Sequence, residues 1–228
     1  MSNTISESFT HETVPTTFIN VKGTKFAYRA FGKNTGVPIV FLQHFTGTLD
    51  NWDPAVTNAL AKKHPVILFD NKGVGSSDGT TPESVAEMSN DAIDFINALG
   101  LEKVDLLGFS LGGLIAQNLA ERYPARIRKV ILAGTGPKGS EGLTELLTVI
   151  NAGMVDGPDK ILRNIFFTKT TSGRAAGEQF LQRLQSRKAN RDIPTSGAAV
   201  NAQAKAIITY GYETDATYQQ LRNIKQPV

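Results

Sequence analysis

Short apolar runs that alternate with helix-like segments constrain the fold of this chain more than any other feature of its sequence. Near-continuous apolar strands are typical of a parallel sheet that is covered on both faces. The segments between the runs have the three- and four-residue spacing of apolar side chains that favours helices. The four runs are residues 37–43, 65–70, 104–109 and 129–135, and the helical segments between them are 51–63, 84–99 and 111–123. The alternation predicts an α/β fold with a mostly parallel, doubly wound sheet.

The segments on either side of this alternating region have a different character. Residues 16–23 and 24–33 predict two strands that form a hairpin at Gly23. After Pro137 the sequence has helical patterns and no convincing strand pattern. These predicted helices are residues 143–153, 158–167, 174–188, 197–210 and 216–223.

This change of character predicts the domain organisation. A helical insertion on an α/β sheet is a common way to cover a site at the strand ends. We expect an α/β core over residues 1–136 and a helical lid over residues 137–223. Residues 224–228 are then the start of a further core strand, which the chain does not complete.

Composition and charge exclude several classes of function. The 24 basic and 21 acidic residues give a net charge of +3, too small to indicate a nucleic-acid or anionic-lipid partner. The sequence has no cysteine and three well-separated histidines, which excludes disulfides, thiolate metal sites and a local His-rich motif. No apolar run approaches a membrane span, and the polar N-terminus lacks a signal core. We therefore expect a soluble, cytoplasmic protein that acts on a small molecule without a cofactor.

One motif carries chemistry. Gly108-Phe109-Ser110-Leu111-Gly112 fits the G-x-S-x-G pattern of a nucleophile elbow. A predicted strand leads directly into Ser110 and a predicted helix leaves directly from it. A sharp turn between them would present the serine hydroxyl at the carboxyl end of the sheet, where the helix N-terminus faces a developing oxyanion. Ser110 is the candidate nucleophile; the alternative is a strand–helix connection that contains a serine by chance.

Two other glycine-rich stretches fit functional patterns less well. The stretch from Gly75 to Gly79 also spells G-x-S-x-G around Ser77, but a loop rather than a helix follows it. The stretch from Gly134 to Gly139 spells a dinucleotide-binding pattern. However, Pro137 removes an amide that a pyrophosphate would need, and no strand with a terminal acid follows about twenty residues later. Neither stretch is retained as a site.

Three motifs follow one another along the chain: Gln43-His44-Phe45-Thr46-Gly47, the stretch from Asp70 to Ser77, and the stretch from Gly108 to Gly113. In this order they resemble the α/β-hydrolase superfamily, specifically its esterase and non-haem haloperoxidase-like branch. The resemblance extends from about residue 18 to the end of the chain. It implies a serine hydrolase that cleaves a carboxylic ester or related acyl substrate through an acyl-enzyme, with no cofactor.

The resemblance also implies roles for particular residues. Ser110 would attack the acyl carbonyl, and the backbone N–H of Leu111 would be one oxyanion donor. The second donor would be the backbone N–H of Thr46 or of Phe45, which stands where the family usually has glycine. His44 would brace this loop, with a role as general base as the alternative.

Other charged residues near these motifs have structural interpretations. The turn chemistry of the loop that follows Asp70 favours a structural role for this carboxylate. Four basic residues in the predicted lid indicate a solvated helix face. They are Arg183, Arg187, Lys188 and Arg191.

The remaining members of a catalytic triad are not evident in the sequence. In this fold they follow the nucleophile in the order acid, then histidine, and no histidine follows Ser110 here. We expect both to lie beyond Val228. Two hypotheses follow: an acyl hydrolase whose acid and base are supplied by further sequence, or a non-catalytic hydrolase-fold protein that binds a small ligand.

Overall fold

In the computed structural model, which describes residues 5–215 and 217–228, the strands form one sheet in the order β1-β2-β4-β3-β5-β6. The strands are β1 Thr17–Val21, β2 Thr24–Gly32, β3 Ile39–Leu42, β4 Pro65–Phe69, β5 Val104–Phe109 and β6 Ile127–Ala133. β1 and β2 form the predicted hairpin, and β2 pairs antiparallel with β4. β4, β3, β5 and β6 are parallel to their neighbours. The predicted α/β fold with a mostly parallel sheet is confirmed.

The helices divide into two groups along the chain. Three alternate with the strands, and the elements described between residues 137 and 223 are all helical, as the sequence predicts. The helices are α1 Pro54–Ala61, α2 Val85–Ala98, α3 Leu111–Arg122, α4 Glu141–Thr144, α5 Leu146–Gly153, α6 Ile161–Phe166, α7 Thr171–Leu184, α8 Gly197–Tyr212 and α9 Gln219–Asn223. Over the described ranges, none of them is both long and apolar enough to cross a bilayer.

The central strands are apolar on both faces because both faces of the sheet are covered. In β3, Phe41 packs edge-on against Trp52, with 4.9 Å between ring centroids. Val40 and Leu42 point the other way, into the cluster formed with α2 and α3. The side chains of β3 are completely or almost completely buried. This double burial explains the continuous apolar run in the sequence.

Residues 224–228 pass beside β6. The backbone N–H of Val130 donates to the carbonyl oxygen of Pro227 at 2.9 Å. The segment forms no regular strand in the structure, so its continuation as a core strand stays a prediction.

The prediction of a solvated basic helix face is wrong. Helix α7 ends at Leu184, and residues 185–196, called the strap below, run irregularly across the core. The Arg187 side chain is only 3% exposed and donates hydrogen bonds to three backbone carbonyls of the N-terminal segment, those of His11, Glu12 and Val14. Arg183 pairs with Asp53, and Arg191 lies 3.8 Å from Asp50. The pattern of charges could not reveal that other segments pack over these side chains.

Candidate active site

Ser110 occupies a sharp turn between β5 and α3. Its φ of +52° and ψ of −116° lie in a region that L-residues rarely adopt. Backbone strain of this kind costs on the order of 1–3 kcal/mol and persists only where the surroundings enforce it. Here the Ser110 N–H donates to Ala133 O at 2.9 Å, and the Ser110 carbonyl accepts bonds from Gly113 N–H at 2.8 Å and Thr135 Oγ1 at 2.9 Å. The turn predicted from the motif is present.

Two glycines make this turn possible. A Cβ atom at Gly112 would lie 1.8 Å from the carbonyl oxygen of Leu42, and one at Gly108 would lie 2.4 Å from the carbonyl oxygen of Gly112. The first turn of α3 therefore lies directly against the end of β3. This contact places the helix N-terminus beside the loop that follows β3.

That loop, residues 43–47, is called the oxyanion loop below. β3 and β5 are parallel neighbours with Leu42 opposite Gly108, so the loop and Ser110 leave the same edge of the sheet. The buried Gln43 side chain braces the loop, since it accepts from His44 N–H at 2.9 Å and donates to Thr48 O at 3.0 Å. Gln43 belongs to the motif that follows β3, but no role was predicted for it from the sequence, although a polar residue directly after an apolar strand is a usable signal.

The backbone N–H groups predicted as oxyanion donors differ in whether they already have a hydrogen-bond partner. Leu111 is the first residue of α3, and its N–H makes no backbone hydrogen bond among the described residues. The N–H of Phe45 likewise has no partner in the described part of the chain. The N–H of Thr46, by contrast, donates to Gln203 Oε1 at 2.7 Å. Leu111 and Phe45 thus have N–H groups available for a ligand, whereas that of Thr46 is engaged.

His44 lies beneath the lid and contacts the oxyanion loop. Its Nδ1 is 2.7 Å from the carbonyl oxygen of Phe45, which can only accept, so Nδ1 carries the proton. Burial lowers the pKa of His44 to about 4, against the opposing effect of this hydrogen bond, so the ring is neutral at pH 7. The ring packs against Phe109 and Phe166, with centroids 5.4 Å and 5.9 Å away. This geometry fits the bracing role that the family resemblance implies.

Two polar side chains from the segment predicted as the lid hold the oxyanion loop, and no role was predicted for either of them from the sequence. Gln203 of α8 takes the Thr46 N–H, and Thr195 of the strap donates its hydroxyl to the Thr46 carbonyl at 2.7 Å. Gln203 is fully buried, although most of its neighbours in α8 are alanines. A buried polar residue in such a helix was a possible signal for Gln203, whereas nothing in the sequence distinguishes Thr195.

A pair of carboxyl groups joins the strap to the loop after β4. Asp70 accepts from Leu49 N–H at 2.9 Å and Ser76 N–H at 3.1 Å, while Asp192 accepts from Ser76 Oγ at 2.5 Å and Leu49 N–H at 3.2 Å. Both carboxyl groups thus accept the same Leu49 N–H and lie against each other. Burial, together with the contact to Asp192, raises the pKa of Asp70 well above its usual value. Asp70 thus fixes loops, in agreement with the structural role predicted for it.

A buried ion pair lies beside this carboxyl pair. Arg29 of β2 donates to Asp50 at 2.6 Å, and both side chains are almost completely buried. Burial opposes ionisation of Asp50, but the Arg29 guanidinium, the Asp192 N–H and Arg191 together keep the pKa of Asp50 below its usual value. The second oxygen of Asp50 accepts the backbone N–H of Asp192 at 2.7 Å. The strap is therefore anchored by charges from distant parts of the chain.

The fold and the elbow define a class of protein, and comparison with known families agrees. The family model described as the alpha/beta hydrolase fold matches residues 37–224. The chain belongs to this family. The resemblance to the α/β-hydrolase superfamily is thereby confirmed, while its assignment to the esterase and haloperoxidase-like branch stays a prediction.

Individual relatives extend this comparison. The chain is similar to the solved structure of an alpha/beta hydrolase fold protein from Chitinophaga pinensis, at 39% identity and a TM-score of 0.90, over 96% of this chain and 89% of that one. It is 35% identical over 98 residues to a protein provisionally named carbamate hydrolase RutD in Azorhizobium caulinodans, and 29% identical over 119 residues to 3-oxoadipate enol-lactonase 1 of Acinetobacter baylyi. These matches cover 42% and 52% of this chain, and 37% and 44% of the relatives, so the matched parts span less than half of each relative.

Proposed function

We propose that the chain is the nucleophile-bearing part of a serine hydrolase that acts on a carboxylic ester or related acyl substrate. The observation that carries this proposal is the strained backbone of Ser110 at the start of α3. Strain held in place by surrounding hydrogen bonds is characteristic of functional sites. Ser110 is partly exposed at the carboxyl edge of the sheet, where a substrate could reach its hydroxyl.

The reaction uses the groups around this turn. Ser110 Oγ attacks the acyl carbon while a base accepts its proton, and the carbonyl oxygen becomes an oxyanion. The N–H groups of Leu111 and Phe45 are the donors for that oxyanion, each contributing roughly 3–4 kcal/mol to the transition state. The alcohol then leaves with a proton, and water hydrolyses the resulting acyl-enzyme.

The comparisons support an acyl substrate. The similar proteins carry the names of a carbamate hydrolase and an enol-lactonase, and both names describe cleavage at an acyl carbon. We propose a small acyl compound as the substrate class, with no cofactor required.

A second candidate function is binding of a small ligand without catalysis. One observation favours it: among the described residues, no histidine side chain hydrogen-bonds Ser110, since His44 bonds to Phe45 and His11 to Thr57. A serine hydroxyl without a neighbouring base is a weak nucleophile. If the chain is a hydrolase, we expect it to turn over p-nitrophenyl acetate only slowly, at roughly 10³–10⁴ times the uncatalysed rate, whereas a binding protein should not turn it over.

Covalent labelling separates the two candidates. Because no base lies beside Ser110 among the described residues, we expect excess fluorophosphonate to modify the chain slowly but only once, at Ser110, as read by intact mass and peptide mapping. Ser110→Ala should abolish the modification. Ser77→Ala is the matched control, because Ser77 has the same sequence pattern but its hydroxyl is buried and bonded to the Asp70 carbonyl at 2.9 Å. A chain that binds esters but is never labelled at Ser110 would support the binding protein instead.

A further inference from the structure

We propose that Gln203 of the lid is a positioning residue of the oxyanion loop. By accepting the Thr46 N–H, it fixes the loop so that the Phe45 N–H is the donor that works with Leu111. This inference rests on the proposed serine hydrolase function. It assigns a role in the site to a lid residue that lies 93 positions after the nucleophile.

The first support is the conformation of Thr46. Its φ of +63° lies in the left-handed region, which a β-branched residue adopts only when its surroundings enforce it. Both backbone polar groups of Thr46 are held by the lid, the N–H by Gln203 and the carbonyl by Thr195. The lid contacts therefore account for a backbone conformation that threonine itself disfavours.

The second support is the state of the Gln203 amide. Because the Thr46 N–H is a donor, the amide atom that faces it must be Oε1. The Nε2 group is then buried without a partner among the described residues. A buried unpaired amide destabilises a fold, and leucine would fill a similar volume without this cost. Stability alone does not explain a glutamine here, whereas the need for an acceptor at the loop does.

The third support is the effect on the two candidate donors. Gly47 N–H closes the loop onto His44 O at 3.0 Å, so the loop is a tight turn whose amides cannot reorient independently. With the Thr46 amide turned to the lid, the Phe45 N–H is left without a partner among residues 5–215 and 217–228. Loss of the Gln203 acceptor would free the Thr46 amide and let the turn relax.

Hydrogen exchange tests the positioning directly. In the wild-type chain, we expect the Thr46 amide to be protected from exchange. Gln203→Leu should increase its exchange rate at least tenfold, because the acceptor is lost. Gln203→Glu keeps an oxygen in place and should restore the protection. An unchanged Thr46 exchange rate in Gln203→Leu would overturn the inference.

The labelling rate tests the link to the proposed chemistry. Gln203→Leu should slow fluorophosphonate modification of Ser110 at least tenfold, and Gln203→Glu should be labelled faster than Gln203→Leu. Ile207→Ala is the matched control, because Ile207 is a buried residue of α8 that packs in the core. It should lower the stability of the lid, raise the Thr46 exchange rate less than Gln203→Leu does, and leave the labelling rate of the folded chain unchanged.

The outcomes separate the two proposals. If the wild-type chain is labelled and Gln203→Leu is labelled equally fast, the inference about Gln203 fails and the serine hydrolase proposal stands. If Ile207→Ala slows labelling as much as Gln203→Leu, general loosening of the lid explains the effect and the inference also fails. If the wild-type chain is not labelled, the hydrolase proposal fails, and exchange at Thr46 alone decides whether Gln203 positions the loop.

Discussion

The nucleophile elbow and the strap lie at the same edge of the sheet but are held in place by different interactions. At the elbow, glycines let α3 approach the backbone of β3, so the conformation depends on close packing of main-chain atoms. The strap has no regular structure and is held by polar side chains, among them the buried Asp50 and the half-buried Asp192. The elbow is therefore specified by neighbouring residues, whereas the strap depends on groups that are far apart in sequence.

This difference has an energetic consequence. Close backbone packing tolerates no added atom, but it costs little desolvation. A buried ion pair requires removal of two charges from water, and its partners must stay together to compensate. We therefore expect mutations in the two regions to change the free energy of unfolding by different amounts and to differ in how that change depends on pH.

The largest expected effect is at the buried ion pair. Arg29→Met leaves Asp50 buried without its closest cation and should lower the free energy of unfolding by about 3–5 kcal/mol. Lys205→Ala is the control, because Lys205 pairs with Glu83 on the exposed side of α8. Its effect should be no more than about 0.5–1 kcal/mol. Urea denaturation measures the free energy of unfolding of both variants. Equal decreases would show that a buried ion pair stabilises this chain no more than an exposed one.

A slightly smaller effect is expected at the elbow. Gly112→Ala places a methyl group against the carbonyl of Leu42 and should cost about 3 kcal/mol, the upper end of the usual range for overpacking. It should also reduce labelling of Ser110, since the helix start must shift. Gly197→Ala is the control at the start of α8, where an added Cβ meets no atom within 4 Å. If both alanine variants unfold at the same urea concentration, close packing does not hold the elbow.

The smallest effect is a change in pH dependence at the strap. Asp70 has a raised pKa in the folded chain, so folding favours its protonated form. The stability from this proton is full below the unfolded-state pKa of about 3.9 and is lost as pH rises through the folded-state value. Asp70→Asn removes this titration. The free energy of unfolding of this variant, measured by urea denaturation, should therefore fall less than that of the wild type as the pH rises from 5 to 8.

The two buried histidines titrate equally in the wild type and in Asp70→Asn, so they serve as an internal control. His11 and His44 have pKa values lowered to about 4, so their contribution is present above pH 6.5 and is lost as the pH falls toward 4. Both chains share this titration, and it cancels in the difference between them. Parallel stability curves for the two chains would exclude the Asp70–Asp192 pair as a source of pH dependence.

Much of the fold was predictable because its signals are local. The strand predicted over residues 104–109 has the same bounds in the structure, as β5. The helix predicted to start at residue 111 also starts at that residue, as α3. The elbow follows from the same short segment, since its glycines, serine and helix start are contiguous. The predicted end of α7 was wrong by four residues, because irregular backbone after Leu184 is stabilised by contacts to the N-terminal segment.

The sequence by itself determined the order of strands and helices along the chain and the sharp turn at Ser110. It also determined which residues form the oxyanion loop, because apolar periodicity and glycine placement act over a few residues. Only the tertiary structure decided which loop amide is engaged. Thr46 and Gln203 are 157 residues apart, and no local pattern encodes a hydrogen bond over that separation. The same holds for Asp70 and Asp192, because only folding brings the two carboxyl groups together, and this contact helps to raise the pKa of Asp70.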